Sequence, residues 1–454
     1  MTGPDTWLLD DVWLVPMDGP PDAPLGAVRR GGLRVRGDRI AGLGALRPEA
    51  GERVIAGGGR IAMPGFVQGH AHATQTLFRG LADDLPLLDW LQQRIWPLEH
   101  AHDAASTRAS ARLTFAELLA GGTTTVQTME SVRHTEVTCE EALTAGLTAV
   151  IGNCLMDLAD GGVPPGLPTT AAAAIATTDA LRRRFHRRDG RLEIAVAPRF
   201  VLSCSDELAH AAAAYAAEHR LRVHTHAGEH PAEVAAVRAR YGRDYLEVLH
   251  DQGLLGARSS LAHCVHTTER ERELLVLTDS AVLHCPSTNL KLGSGIAAVA
   301  TYRQLGLRVA LGADGAPCNN RLSMLAELRL AALLQNLAAG PGVFGAAQAL
   351  WTATRGGARA LGLDHEVGSL RPGLRADVLL FDLDDAALPL VADTPAAIAG
   401  TLVYAATERQ LRAVLCGGEF VLRDGELLRY DRRALRAAAA AELPAVLQRA
   451  GLAR

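Results

Sequence analysis

Two histidines stand one residue apart at the end of an apolar run, PGFVQGHAH (64–72). Side chains alternate along a β-strand, so His70 and His72 point to one face from adjacent positions on it. Further along, metal-competent residues recur near the ends of apolar runs: His226 in HTHAGE, His263 in LAHCVH and Asp314 in LGADGA. His70, His72, His226 and Asp314 together offer three imidazoles and a carboxylate, a set suited to zinc or ferrous iron with one position left for water. Glu229 follows His226 by three residues, within reach of that water, and a carboxyl that is not itself a ligand can shuttle its proton. His224 shares the strand face of His226 but lies deeper, and is read as structural. The only lysine is Lys291, late in the chain, so no carboxylated lysine on an early strand can bridge two metals. A single ion is expected.

The elements that must position these residues alternate between short β-rich runs and long Ala/Leu/Arg/Glu-rich stretches of helical period. Strands are expected at 61–67, 123–129, 147–157, 192–202, 221–227, 259–266, 281–287 and 308–314. Eight strands separated by helices predict an α/β fold, a closed (β/α)8 barrel with its chemistry at the carboxyl ends of the strands; a doubly wound open sheet is the runner-up. The flanks, GGLRVRGDRIAGLG (31–44), ADVLLFDLD (376–384) and LRAVLCGGEFVLRDGELL (411–428), look like short strands joined by Gly/Asp turns that pair into one small composite β domain. The expected boundaries are 1–58 for the N-terminal part of a β-sandwich domain, 59–372 for the barrel, and 373–454 for the rest of the sandwich with an Ala-rich terminal helix.

Composition narrows the partners. Hydrophobic residues make up 48% of the 454-residue chain and charged residues 21%, with a formal net charge of -4, which disfavours disorder and nucleic-acid binding and makes a small molecule the default partner. The seven cysteines are scattered without a CxxC pair, which fits a reducing compartment. MTGPDTWLLDDVWL lacks the basic start and apolar run of a signal peptide, and no stretch reaches membrane-spanning length, so a cytoplasmic protein without membrane contact is expected.

Taken with GGTTTV (121–126), HCPSTNLKLGSG (284–295) and LGADGAPCNN (311–320), these motifs resemble, over nearly the whole chain, the amidohydrolase superfamily and its purine and triazine aminohydrolase branch. The resemblance implies a TIM barrel with a composite β domain, a homo-oligomer, and one zinc ion, with iron as the alternative. It implies His70, His72, His226 and Asp314 as ligands, Glu229 as proton shuttle and His263 as a partner of the water or substrate. The implied reaction is hydrolytic deamination: Asp314 takes a proton from the attacking water, Glu229 protonates a ring nitrogen, His263 hydrogen-bonds the new oxygen, and ammonia leaves.

Two residue sets point to different substrates. DLPLLDWLQQRIWPLE (84–99), NLKLGSGI and DGAPCNN resemble S-adenosylhomocysteine, methylthioadenosine and 5′-deoxyadenosine deaminases, in which the position of Glu99 holds ribose hydroxyls. Gln75 and the segment Pro198-Arg199-Phe200 resemble guanine deaminases, and Arg199 replaces the histidine of the adenosylhomocysteine enzymes with a group that only donates. An adenosine-type nucleoside is the leading substrate, followed by guanine or 8-oxoguanine and then a triazine. An inactive binding protein on the same fold predicts eroded ligands, and none is missing. Phe200, Trp90 and Trp96 are candidate pocket walls; Met324 and Leu325 are read as core.

Overall fold

The computed structural model describes residues 6–385, 388–389 and 394–453; residues 1–5 of the N-terminal stretch discussed above lie outside these. Eight strands follow one another in both sequence and space: Phe66–Ala71, Thr123–Met129, Thr148–Gly152, Leu192–Pro198, Arg222–Ala227, Ser259–His263, Ala281–His284 and Val309–Leu311. The pairings resolved from the third strand to the eighth are parallel, and a parallel bridge between Ala71 and Asp314 joins the last to the first. This is the expected barrel. The strands are buried almost throughout, as a ring covered by helices requires.

The second sheet gathers Thr6–Leu14, Arg29–Arg36, Arg39–Gly44, Arg53–Ala56 and Ile61–Pro64 with Val378–Phe381, Leu411–Cys416, Glu419–Arg423 and Glu426–Leu427. Both ends of the chain contribute, mostly by antiparallel pairing. Here the run 61–67, expected to be one barrel strand, divides. Ile61–Pro64 belongs to this sheet, and the barrel strand begins at Phe66. Gly65 marks the break, since a Cβ there would stand 2.0 Å from the Thr124 hydroxyl oxygen.

The chain forms two compact units. One comprises 1–68, 117–125 and 323–430; the other comprises 69–116, 126–322 and 431–454. These divisions fall elsewhere than 58/59 and 372/373, and the terminal helix Arg432–Arg449 groups with the second unit. Its Val446 and Leu447 pack with Leu77, Phe78 and Leu98, while Arg449 donates to the Ala101 carbonyl at 2.7 Å and pairs with Asp103 at 3.1 Å. A helix without chemistry of its own therefore braces the segment 77–103 that carries Glu99. Among the described residues no helix is long and apolar enough to cross a membrane.

Candidate active site

The carboxyl ends of the first, fifth and eighth barrel strands bring His70, His72, His226 and Asp314 together, with one donor atom from each within 4.8 Å of the others. The His70 and His72 Nε2 atoms each lie 3.2 Å from Asp314 Oδ1, and the Nε2 atoms of His72 and His226 are 3.3 Å apart. Backbone geometry makes this convergence possible. Asp314 sits at φ 64, and its N–H donates to the His70 carbonyl at 3.0 Å. Gly312 permits the approach, because a Cβ there would lie 2.8 Å from that of His70. A non-glycine residue held in the left-handed region at the centre of a site is a cost that the surrounding hydrogen bonds sustain.

Each ligand imidazole turns its Nε2 inward because its Nδ1 is engaged behind. His72 Nδ1 meets the Met129 carbonyl and His226 Nδ1 the Arg199 carbonyl, both at 2.6 Å. His70 Nδ1 instead meets His224 Nε2 at 2.9 Å, so His224 touches the ligand set, a contact its reading as a structural residue did not include. Nδ1–H held by an acceptor leaves Nε2 as a lone pair for a cation. Burial and the neighbouring imidazoles His70 and His72 hold His226 well below the ordinary histidine range, so it is neutral as a ligand must be. Burial works to raise the Asp314 carboxyl, but His70 and His72 outweigh it and hold it well below its usual value. The donor set thus fits one divalent ion.

Glu229 and His263 flank this group. Burial, then the charges of Asp314 and Glu233, push the Glu229 carboxyl well above its usual range. His263 Nε2 stands 3.3 Å from Glu229 Oε2 and 3.9 Å from Asp314 Oδ2, and burial lowers this imidazole to about 4. Its Nδ1 faces Asn289 Oδ1 at 2.9 Å. A neutral His263 whose proton lies on Nδ1 presents its Nε2 lone pair to the site, where it is placed to accept a hydrogen bond from a hydroxyl or from the Glu229 acid. Two neighbouring carboxyls driven in opposite directions are the arrangement for one acid and one base.

The candidate recognition residues form a second group. Arg199 Nη1 donates to Glu99 Oε2 at 2.6 Å, its Nη2 reaches Glu99 Oε1 at 3.4 Å, and Gln75 Nε2 donates to Oε1 at 2.8 Å. Glu99 and Arg199 are each 4% exposed. Burial would raise Glu99, yet Arg199 holds its carboxyl below the usual range. Residues that the sequence assigned to rival substrates are therefore one network.

A small cavity opens beside the ligand set. Leu87, Trp90, Leu91 and Phe200 supply its apolar wall and Arg199 its cation, whereas Glu99, Gln75 and Trp96 do not border it. Trp96 packs among Trp90, Ile95, Met156 and Phe200 in the apolar cluster behind. A wide π-helical turn, Leu91–Ile95, separates the two tryptophans just before Pro97, which has no N–H to continue a regular ladder. Sequence reasoning passed over Glu233, which borders the cavity and accepts the Glu229 N–H at 2.9 Å. A Glu at the third position of a helix reads as an ordinary capping residue, and Glu233 is also that.

A (β/α)8 barrel with three imidazoles and a carboxylate at its strand ends, beside an acid and a neutral histidine, defines a metal-dependent hydrolase, and the chain belongs to the Amidohydrolase family, which it matches over residues 61–421. As a member it is a hydrolase acting on C–N bonds. It is 36% identical over 432 residues to a 5′-deoxyadenosine deaminase of Methanothermobacter thermautotrophicus, covering 94% of this chain and 97% of the relative. It is 38% identical over 406 residues to a 5-methylthioadenosine/S-adenosylhomocysteine deaminase of Halobacterium salinarum, covering 88% and 90%. Among solved structures, a zinc-bound adenosine deaminase from Xanthomonas campestris superposes with a TM-score of 0.87 at 30% identity, covering 97% of this chain and 98% of that one.

Proposed function

We propose that this protein is a zinc-dependent deaminase of an adenosine-type nucleoside, with 5′-deoxyadenosine, methylthioadenosine or S-adenosylhomocysteine as substrate. The observation that carries the chemistry is the convergence of donor atoms from His70, His72, His226 and Asp314 within 4.8 Å of one another, with His263 Nε2 3.3 Å from a Glu229 carboxyl that burial raises well above its usual range. His70, His72, His226 and Asp314 would hold the ion. Zinc bound there lowers the pKa of a water toward neutrality. Asp314 accepts a proton, and Glu229, protonated at rest, donates to a ring nitrogen and so makes the amino-bearing carbon electrophilic. His263, fixed by Asn289, accepts at the water or at the Glu229 acid. The reaction consumes one water and gives the inosine analogue and ammonia.

Glu99 is the proposed ribose partner. A carboxylate has about four acceptor positions, and Arg199 and Gln75 occupy three, the Nη2 contact at 3.4 Å being the loosest. One acceptor position remains by this count, but Glu99 lies behind Arg199 and does not border the cavity, so a ribose hydroxyl reaches it only when the Arg199 guanidinium turns toward the substrate. Arg199 keeps Glu99 ionised for that purpose, while Phe200 and Trp90 wall the base and Trp96 supports Trp90. A cytoplasmic, homo-oligomeric enzyme with no nucleic-acid partner completes the proposal. The test is Glu99→Ala assayed on paired substrates. It should raise KM for 5′-deoxyadenosine far more than for a free base such as guanine. An equal change for both would remove Glu99 from ribose recognition and favour Gln75 and Arg199 as contacts to a free oxopurine.

A further inference from the structure

We infer that His224 is a positioning residue of the metal centre, fixing the tautomer and direction of His70. The inference rests on His70 being a ligand, as proposed above. Of the three imidazoles in the set, His72 and His226 are oriented by backbone carbonyls, which no side-chain substitution can remove. His70 alone is oriented by a side chain, through the 2.9 Å contact between its Nδ1 and His224 Nε2. Both rings are fully buried and meet nearly edge to face, with centroids 4.9 Å apart. For His70 Nε2 to offer a lone pair to a cation, its proton must sit on Nδ1, and His224 Nε2 must then accept. That requirement fixes His224 as the neutral tautomer with its own proton on Nδ1. The alternation of strand side chains brings this about: His224 and His226 share the inner face of Arg222–Ala227, so one strand supplies both a ligand and the support of another.

A packing role and a positioning role predict different results for two near-isosteric substitutions. His224→Gln keeps an acceptor near the former Nε2, whereas His224→Met fills similar space without one. Zinc affinity would be read by chelator competition on apoprotein whose folding is checked by circular dichroism. Cobalt-substituted protein would give the ligand-field absorption. His224→Met is expected to weaken zinc binding about 10–100-fold, the usual consequence of losing an outer partner of a ligand histidine, and to alter the cobalt spectrum. His224→Gln should stay within a few-fold of the parent. Equal affinities for parent and Met, or equal losses for Gln and Met, would overturn the inference. Should the Met protein not fold, nitrogen-15 spectra of the imidazoles in zinc-loaded parent decide the matter: His224 protonated on Nδ1 supports it, and protonated on Nε2 contradicts it. His226→Ala run alongside separates the two levels, because retention of zinc there would refute the ligand set itself.

Discussion

The ligand group and the recognition group lie within one unit of the fold and are both buried, yet they are assembled differently. Around His70, His72, His226 and Asp314 the orienting contacts are mostly backbone carbonyls and N–H groups of the strands themselves. Around Glu99, Arg199 and Gln75 every orienting contact is a side chain meeting another side chain, between positions as far apart as 100 residues. The first arrangement comes with the barrel; the second must be specified residue by residue. On the proposed function, the chemistry is built into the scaffold, while recognition is assembled from side chains whose replacement leaves the carbonyls that orient His72 and His226 in place.

The largest effects should separate the two groups most sharply. His226→Ala, or exhaustive chelation of the parent, should leave no turnover above background, and zinc should restore the chelated parent but not the variant. Next, Glu229→Gln should lower kcat by about 10²–10⁴-fold with KM little changed, the range for losing a general acid. Zinc content by atomic absorption should stay at the parental level, since Glu229 is not a ligand. A fall in zinc content to match the fall in rate would merge acid and ligand and break the distinction.

In the recognition group the expected effects are on stability. Arg199→Met leaves the buried Glu99 carboxylate without its cation and should cost about 3–5 kcal/mol, read from urea midpoints. Adding Glu99→Gln to that variant should recover part of the loss. The smallest effect is on acid sensitivity. Because Arg199 holds the Glu99 carboxyl below its ordinary value, its stabilising contribution is full above that value and is lost as pH falls through the depressed one. Glu99→Gln should therefore flatten the acid side of the stability profile below about pH 4.5, near the ordinary Glu value. An unchanged acid limb would place the ionic contribution elsewhere.

The same contrast explains what the sequence disclosed. His70 and His72 were legible because strand side chains repeat every second residue, and Glu229 because it follows a ligand within the same short loop. The barrel was legible from eight apolar runs in order. The break at Gly65 was not, since only the proximity of Thr124 shows why a run of seven residues serves two sheets. The pairing of Glu99 with Arg199 depends on tertiary approach, so their types suggested rival substrates in place of a partnership. Trp90 and Trp96 were equal candidates for the pocket wall, and only the tertiary packing shows that Trp90 borders the cavity while Trp96 lies in the cluster behind it. His224 looked structural because nothing in HTHAGE tells that the Nδ1 of His70 lies within hydrogen-bond distance.

The most direct test of the account is ammonia release by zinc-loaded protein, with 5′-deoxyadenosine, methylthioadenosine, S-adenosylhomocysteine, guanine and 8-oxoguanine assayed side by side. The account predicts that one of the three nucleosides has the highest kcat/KM and that Glu99→Ala erases most of its advantage. A free oxopurine turned over best, with its rate insensitive to Glu99, would contradict the nucleoside assignment while leaving the metal-dependent deaminase in place.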